Sequence, residues 1–246
     1  MKMKKLAVAI AALTISTATL AANWTLDYRH DYRDHYGENY DRICVIAGFD
    51  NGVGFYVDSS FHSWGDDKPG TDDYHEGQWG DFGTNATEMS LWWSYKVPNS
   101  GFVVTPGIIT ESVSNTTGYK PYVRLQYNTD FGLWTAIRPR FDYWRYDGEK
   151  VDQKNARIDA WLGYKIGKVG ITYNYTHMWA LEDDPKTGET RHMYNGNGYN
   201  YEHNVAINYK IGQWTPYFEV GNIAAPGTAD KSGRQTRFRV GVQYSF

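Results

Sequence analysis

The alternation of apolar and polar side chains in this chain does not fade before the chain ends. Phe238, Val240, Val242, Tyr244 and Phe246 fall on one side, and Arg237, Arg239, Gly241, Gln243 and Ser245 on the other, up to the last residue. Termini are ordinarily polar and patternless. A final residue that keeps its phase, and is aromatic, implies a last strand that is paired to its end. The period is two, the signature of strands with two unlike faces.

The same period runs through the rest of the sequence. Trp24, Leu26, Tyr28, His30 and Tyr32 share a face, as do Ile43, Val45, Ala47 and Phe49, then Phe55, Val57 and Phe61, then Met89, Leu91, Trp93 and Tyr95. Further sets are Tyr119, Val123, Leu125, Tyr127; Leu133, Ile137, Phe141, Tyr143; Ile158, Ala160, Leu162, Tyr164; Val169, Ile171, Tyr173, Tyr175; His203, Val205, Ile207, Tyr209; and Trp214, Phe218, Val220. None of these sets contains Asp, Glu, Lys or Arg. A charge on the lipid face of a barrel costs about 2–4 kcal/mol at the bilayer midplane, so such purity is expected of a wall that faces lipid. It also resolves a contradiction in composition. Aromatics make up 17% of the chain, yet the mean hydropathy is −0.63. In a transmembrane barrel the lipid and lumen faces alternate and cancel in any average.

Five connections read as tight turns, at 50–52, 98–101, 128–131, 165–168 and 211–213, and six as longer or more polar, near 34–40, 64–84, 112–118, 147–154, 182–198 and 223–235. Short and long alternate strictly. Eleven connections join twelve strands, so the predicted fold is all-β, a twelve-stranded antiparallel transmembrane β-barrel of the outer-membrane type. An even strand number puts both termini on the periplasmic side, with tight turns there and long loops outside. The last strand closes the sheet against the first, because an open edge cannot stand in lipid. Pro106, Pro121, Pro139 and Pro216 fall inside expected strands, where each removes a ladder donor.

The N-terminal MKMKK followed by LAVAIAALTISTATLAA reads as a cleaved secretory signal over residues 1–21, leaving a single barrel over 22–246. Removing Lys2, Lys4 and Lys5 takes the formal net charge from −3 to −6. That balance argues against a nucleic-acid partner. Cys44 is the only cysteine, which excludes an intrachain disulfide and a cysteine-based metal site. No cofactor, metal site or catalytic group is expected.

The other face of each strand carries the chemistry. By phase, the lumen receives Arg29, Arg33, Arg42, Lys96, Lys120, Arg124, Arg138, Arg140, Arg157, Lys165, Lys210, Arg237 and Arg239, against Asp27, Asp31, Asp58, Glu88, Glu111, Asp142, Asp159, Glu202 and Glu219. The inner wall thus has four more cations than anions in an acidic protein, and the surplus acid sits in loops at 66–76 and 182–189. Two readings stand side by side. Alternation such as Asp27–Arg29–Asp31–Arg33 suits pairs that merely stiffen the wall. Arginines along a passage also suit sugar acids, since a guanidinium grips a carboxylate with two hydrogen bonds, and low-dielectric walls focus the field. Trp92, Tyr122, Trp134, Trp144, Tyr146, Trp161 and Tyr217 also point inward, as platforms for pyranose rings or as filler. Twelve strands lie between barrels filled by side chains and wide aqueous pores, which points to a narrow, selective passage.

The stretches TPG at 105–107, GYKPYVRLQY at 118–127, IRPRFDY at 137–143, RIDAWLGYKI at 157–166, TPYFEV at 215–220 and FRVGVQYSF at 238–246 resemble the oligogalacturonate-specific porin family, the KdgM type, which also includes a sialic-acid channel. The resemblance implies a monomeric barrel in the outer membrane of a Gram-negative-type bacterium that takes up acidic oligosaccharides along arginine tracks. It implies substrate contacts at Arg42, Arg124, Arg138, Arg140, Arg157 and Arg239; of the rings that phase turns inward, Trp144 and Trp161 are the expected sugar contacts beside them. The terminal Phe246 resembles the signal read by the outer-membrane assembly machinery. Outer-membrane lipid and lipopolysaccharide are the other expected partners. Two alternatives remain: a barrel hydrolase, with His near acids at 31–36 and at Arg191–His192 but no nucleophile motif, and a structural barrel with a plugged lumen.

Overall fold

The computed structural model describes residues 22–35, 37–62, 83–148, 151–184, 188–225 and 233–246. The expected signal over 1–21 and the acidic stretch at 66–76 lie outside the described residues. So do parts of the connections at 147–154, 182–198 and 223–235.

The strand segments are β1 (Ala22–Arg33), β2 (Glu38–Phe49), β3 (Val53–His62), β4 (Gly83–Trp93), β5 (Tyr95–Lys96), β6 (Phe102–Val113), β7 (Thr116–Asn128), β8 (Leu133–Tyr146), β9 (Gln153–Ile166), β10 (Val169–Ala180), β11 (Tyr199–Tyr209), β12 (Trp214–Ala224) and β13 (Arg234–Ser245). β4 and β5 are two pieces of one stave, both paired to β6 in the same register, so thirteen segments build twelve staves. Every neighbour is antiparallel, and the sheet closes where β13 meets β1. The final residue takes part. Trp24 N–H donates to the Phe246 carbonyl at 3.1 Å, and Phe246 N–H returns to the Trp24 carbonyl at 3.0 Å. The aromatic terminus keeps its phase because it is the last rung of the closing seam.

One expectation about the connections needs correction. The segment near 112–118 is a two-residue hairpin at Ser114–Asn115, because the polar residues on either side pair as strand. Short and long connections therefore do not alternate strictly. Ser114 carries the turn at a φ of 45°.

The prolines have an account in the register. Pro121 and Pro139 both fall where the β7–β8 ladder lapses, while the ladders on their other sides, β6–β7 and β8–β9, run through them. Two missing donors are thus gathered into one seam, which resumes in unchanged register on both sides. Pro106 falls at the break between β4 and β5, opposite Trp93 and next to Ser94. Pro216 sits one position beyond the last β11–β12 pair. Each proline turns its nitrogen toward the ladder that lapses.

Burial is inverted relative to a soluble domain. Leu162, Val205 and Met89 are more than half exposed, whereas Asp159, Asp142 and Asp27 are at most 2% exposed. The outer face is apolar and the packed interior is ionic, as the phase predicted. Aromatics crowd both rims of the outer face. Trp24–Phe55, Phe102–Tyr127 and Trp214–Tyr244 ring pairs lie on the side of the termini, and Tyr119–Tyr143 and His177–Tyr199 on the other. This is the girdle geometry of outer-membrane barrels. The charge-free outer face of β2 begins at Ile43. Two positions above, Asp41 also faces outward, and it is shielded by His30 at 3.1 Å and by the Tyr28 hydroxyl at 2.7 Å.

Candidate functional site

In a twelve-stave ring, β1 and β8 are six staves apart by either route, so their inner faces look at each other. The arginines gather on these two walls.

On the wall of β13, β1, β2 and β3, carboxylates hold most of the arginines. Arg42 lies between Asp27 and Asp58, the latter at 3.0 Å. Arg239 donates Nε to Asp31 at 2.7 Å and Nη1 to Glu219 at 2.8 Å. Arg237 reaches Asn204 at 2.7 Å, with Glu219 and Glu202 at 3.5 and 3.6 Å. Arg33 stands between Asp31 and Glu38. The exception is Arg29. It pairs in register with Arg42, forms no ion pair among the described residues, and buries its Nε with no acceptor. A cavity of about 90 Å³ opens beside it, lined by Arg29, Arg33, Arg42 and Arg239 with Asp31 and Tyr40.

On the facing wall, β6 to β9, rings share the work. Arg138 and Arg157 divide a single carboxylate, Asp159, at 3.0 and 2.7 Å, and the Thr176 hydroxyl donates to it at 2.7 Å. Arg140 grips Asp142 with two bonds of 2.6 and 2.7 Å. Lys120 is bonded to Glu111 and lies 3.5 Å from Glu88. Arg124 has no carboxylate among the described residues. Its guanidinium lies 5.1 Å from the Trp161 ring and 5.8 Å from Trp134, within cation–π reach, and its Nε is buried without an acceptor.

Of the residues singled out from sequence, the structure therefore gathers Arg124, Arg138, Arg140, Arg157 and Trp161 on one wall and Arg42 and Arg239 on the other. Trp144 joins Lys120, whose Nζ lies 4.7 Å from its ring. Sequence reasoning placed Arg29 in the lumen but did not select it, because alternation with Asp27 and Asp31 looked like pairing. The carboxylates were instead taken up by arginines of neighbouring strands. At the end nearest the tight turns, Lys96, Lys165 and Lys210 form no ion pair among the described residues.

The inward aromatics follow a rule that no single strand reveals. Five of them stand directly opposite a glycine: Trp92 with Gly54, Tyr122 with Gly107, Trp144 with Gly118, Trp134 with Gly163 and Tyr217 with Gly241. Each ring lies across the inner face of its glycine. A β-carbon there would fall between 2.2 and 3.0 Å from a ring atom.

Above the strands, the loop between β10 and β11 is tied down by Arg191, which donates to Glu182 at 2.6 Å. The Tyr143 hydroxyl and the Tyr146 N–H hold Asp152 below the usual carboxylate range, and burial raises the pKa of Tyr194. Among the described residues no group of three His, Cys, Asp or Glu is placed to hold a metal.

The family model described as oligogalacturonate-specific porin protein (KdgM) matches residues 15–246. The chain is 34% identical to the oligogalacturonate-specific porin KdgM of Dickeya dadantii over 251 residues, which spans 100% of both chains. Among solved structures, a KdgM porin in complex with disordered oligogalacturonate matches with a TM-score of 0.62 at 26% identity, covering 90% of this chain and 99% of that one. A NanC porin shares the fold with a TM-score of 0.71 at 22% identity, covering 90% of this chain and 100% of that one.

Proposed function

The chain belongs to the oligogalacturonate-specific porin family, and we propose that its cargo is a carboxylated oligosaccharide drawn between two facing arginine walls. It is a porin of the outer membrane. The observation that carries the choice of cargo is the pair Arg29 and Arg124, one on each wall. Both are half-buried, each with its Nε buried and lacking an acceptor, and no described carboxylate neutralises either. The other lumen arginines belong to ion pairs and supply background field and rigidity. At an effective dielectric near 20, a charge pair 4 Å apart interacts by about 4 kcal/mol before desolvation. Partial hydration lowers this, as conduction requires, because a site must release what it binds.

In this reading Arg42, Arg138, Arg140, Arg157 and Arg239 shape the path, and Trp144 and Trp161 offer ring faces to the sugar. The protein performs no catalysis, in keeping with a family of channels. It works as a monomer, its apolar outer face meets lipid and lipopolysaccharide, and its last strand, ending at Phe246, is what the assembly machinery engages.

The test is electrophysiological. Arg29→Gln and Arg124→Gln, singly and together, are inserted into planar bilayers, and the reversal potential is read in a salt gradient. Liposome swelling is then followed with oligogalacturonate, sialic acid and maltose. The double variant should lose anion preference and slow both acidic sugars, with maltose unchanged. The faster acidic sugar in the parent protein identifies the cargo class. Unchanged anion preference, or equal slowing of all three solutes, would overturn the reading.

A further inference from the structure

We propose that glycines in the wall of this porin are positioning residues for its cations, acting through the rings that lie on them. Three of the five glycine-backed rings carry a cation on the lumen side. Trp134, on Gly163, lies under Arg124 at 5.8 Å; Tyr122, on Gly107, lies under Arg138 at 5.2 Å; Trp144, on Gly118, lies under Lys120 at 4.7 Å. All three stacks sit on the β6–β9 side. The proposal rests on the cargo reading above, and it adds what sets the depth of these cations in the passage.

The physical argument is short. Cross-strand neighbours on one face of a sheet lie close enough to touch, and an aromatic ring readily covers a strand glycine across the ladder. With no side chain beneath it, the ring settles against the backbone. The cation then settles on the ring. Any β-carbon at the glycine must lift the whole stack. At Gly163 that carbon would meet Trp134 Cε2 at 2.2 Å and Nε1 at 2.3 Å. At Gly107 it would meet the Tyr122 ring and hydroxyl at 2.5 Å, and at Gly118 the Trp144 ring at 3.0 Å. A lifted ring presses inward on the cation that rests on it, least at Arg138 and Lys120, which Asp159 and Glu111 also hold. Arg124 is the consequential case, since only rings hold it in place.

The molecule supplies its own control. Gly48 also faces the lumen, from β2, but a β-carbon there would meet nothing within 4 Å. Gly48→Ala adds the same methyl group without touching a ring.

The experiment compares single-channel conductance and reversal potential for Gly163→Ala, Gly118→Ala, Gly48→Ala, Trp134→Ala and the double variant Gly163→Ala/Trp134→Ala. Heat-modifiable gel mobility certifies folding. Gly163→Ala should lower conductance and shift the reversal potential, Gly118→Ala should do so less, and Gly48→Ala should resemble the parent. Trp134→Ala removes atoms and cannot clash; it should raise conductance and weaken anion preference. The decisive reading is non-additivity: with Trp134 gone, Gly163→Ala should have no further effect. If Gly163→Ala acts equally with and without the ring, or if Gly48→Ala matches it, the stack idea is overturned. If Gly163→Ala fails to fold, Trp134→Ala decides: unchanged conductance and reversal potential in that variant overturn it. Loss of the cargo reading looks different, because there Arg124→Gln leaves selectivity untouched while Gly163→Ala still narrows the passage.

Discussion

The two arginine walls use the same residue for different ends. On the wall built from β13, β1, β2 and β3, Asp27, Asp31, Asp58 and Glu219 thread between guanidinium groups, so that charge is largely balanced where it stands. On the β6–β9 wall Arg138 and Arg157 must share Asp159, and Arg124 rests on tryptophans alone. A ring positions a cation without cancelling it, whereas a carboxylate does both. The lumen's excess positive charge is therefore not spread evenly: three of its four charges are Lys96, Lys165 and Lys210 at the tight-turn end, and the fourth falls on the β6–β9 wall, where packing rather than pairing holds Arg124. This difference also separates stability from selectivity, because removing a paired charge damages the wall and removing an unpaired one damages the permeation path.

The largest effect should come from the shared carboxylate. Asp159→Asn leaves two half-buried guanidinium groups without their counter-charge. Breaking a fully buried pair costs about 3–5 kcal/mol, and the partial exposure of the two arginines sets the loss at the lower end of that range. Urea unfolding from lipid vesicles should show that loss while anion preference rises. An unchanged midpoint would mean that rings, and not Asp159, hold Arg138 and Arg157. Next in size is the same charge moved to the outer face of the same strand. Leu162→Arg should destabilise the bilayer-inserted barrel by about 2–4 kcal/mol if Leu162 lies near the midplane, with little effect on selectivity. Full stability with altered selectivity would reverse the two faces of β9.

A smaller stability effect, with a larger functional one, is expected at the unpaired sites. Arg124→Gln should unfold at or above the parent's urea midpoint and yet lose anion preference, while Arg140→Gln, which strands Asp142, should lose stability and keep most of the preference. The reverse ranking would break the distinction between the walls. The mildest perturbation is salt. Raising ionic strength from 0.1 M to 1 M shortens the Debye length from about 10 Å to about 3 Å. Anion preference should decline with little change in unfolding, since buried pairs are screened less than the charges that meet the hydrated path.

Much of this architecture was legible in the chain. Alternation identified which side of each strand meets lipid, as Leu162, Val205 and Val240 show, because the bilayer imposes one rule on every outward position and the period of a strand is fixed by its geometry. The inward set, from Asp27 to Arg239, followed by elimination. Stave number was legible because tight turns and polar connections punctuate the pattern. The hairpin at Ser114–Asn115 was not, since polar residues that pair as strand look the same as polar residues in a loop.

What the sequence by itself determined is each side chain's face: a property of one strand, set by parity and enforced by lipid. What only the tertiary structure decided is which residues meet across strands. Arg29, flanked by Asp27 and Asp31, looks paired in sequence, and its freedom arises because register assigns those carboxylates to Arg42 and Arg239 on the neighbouring strands. Arg124 has no acid two residues away, but only the register shows that Trp134 and Trp161 lie beside it. Gly163 and Trp134 are far apart in the chain, and only the β8–β9 register lays one on the other. The four prolines are tolerated for the same reason, each nitrogen being turned to a rung the ladder leaves out. Parity is local and readable; partnership depends on alignment between strands, and that alignment is set when the sheet closes.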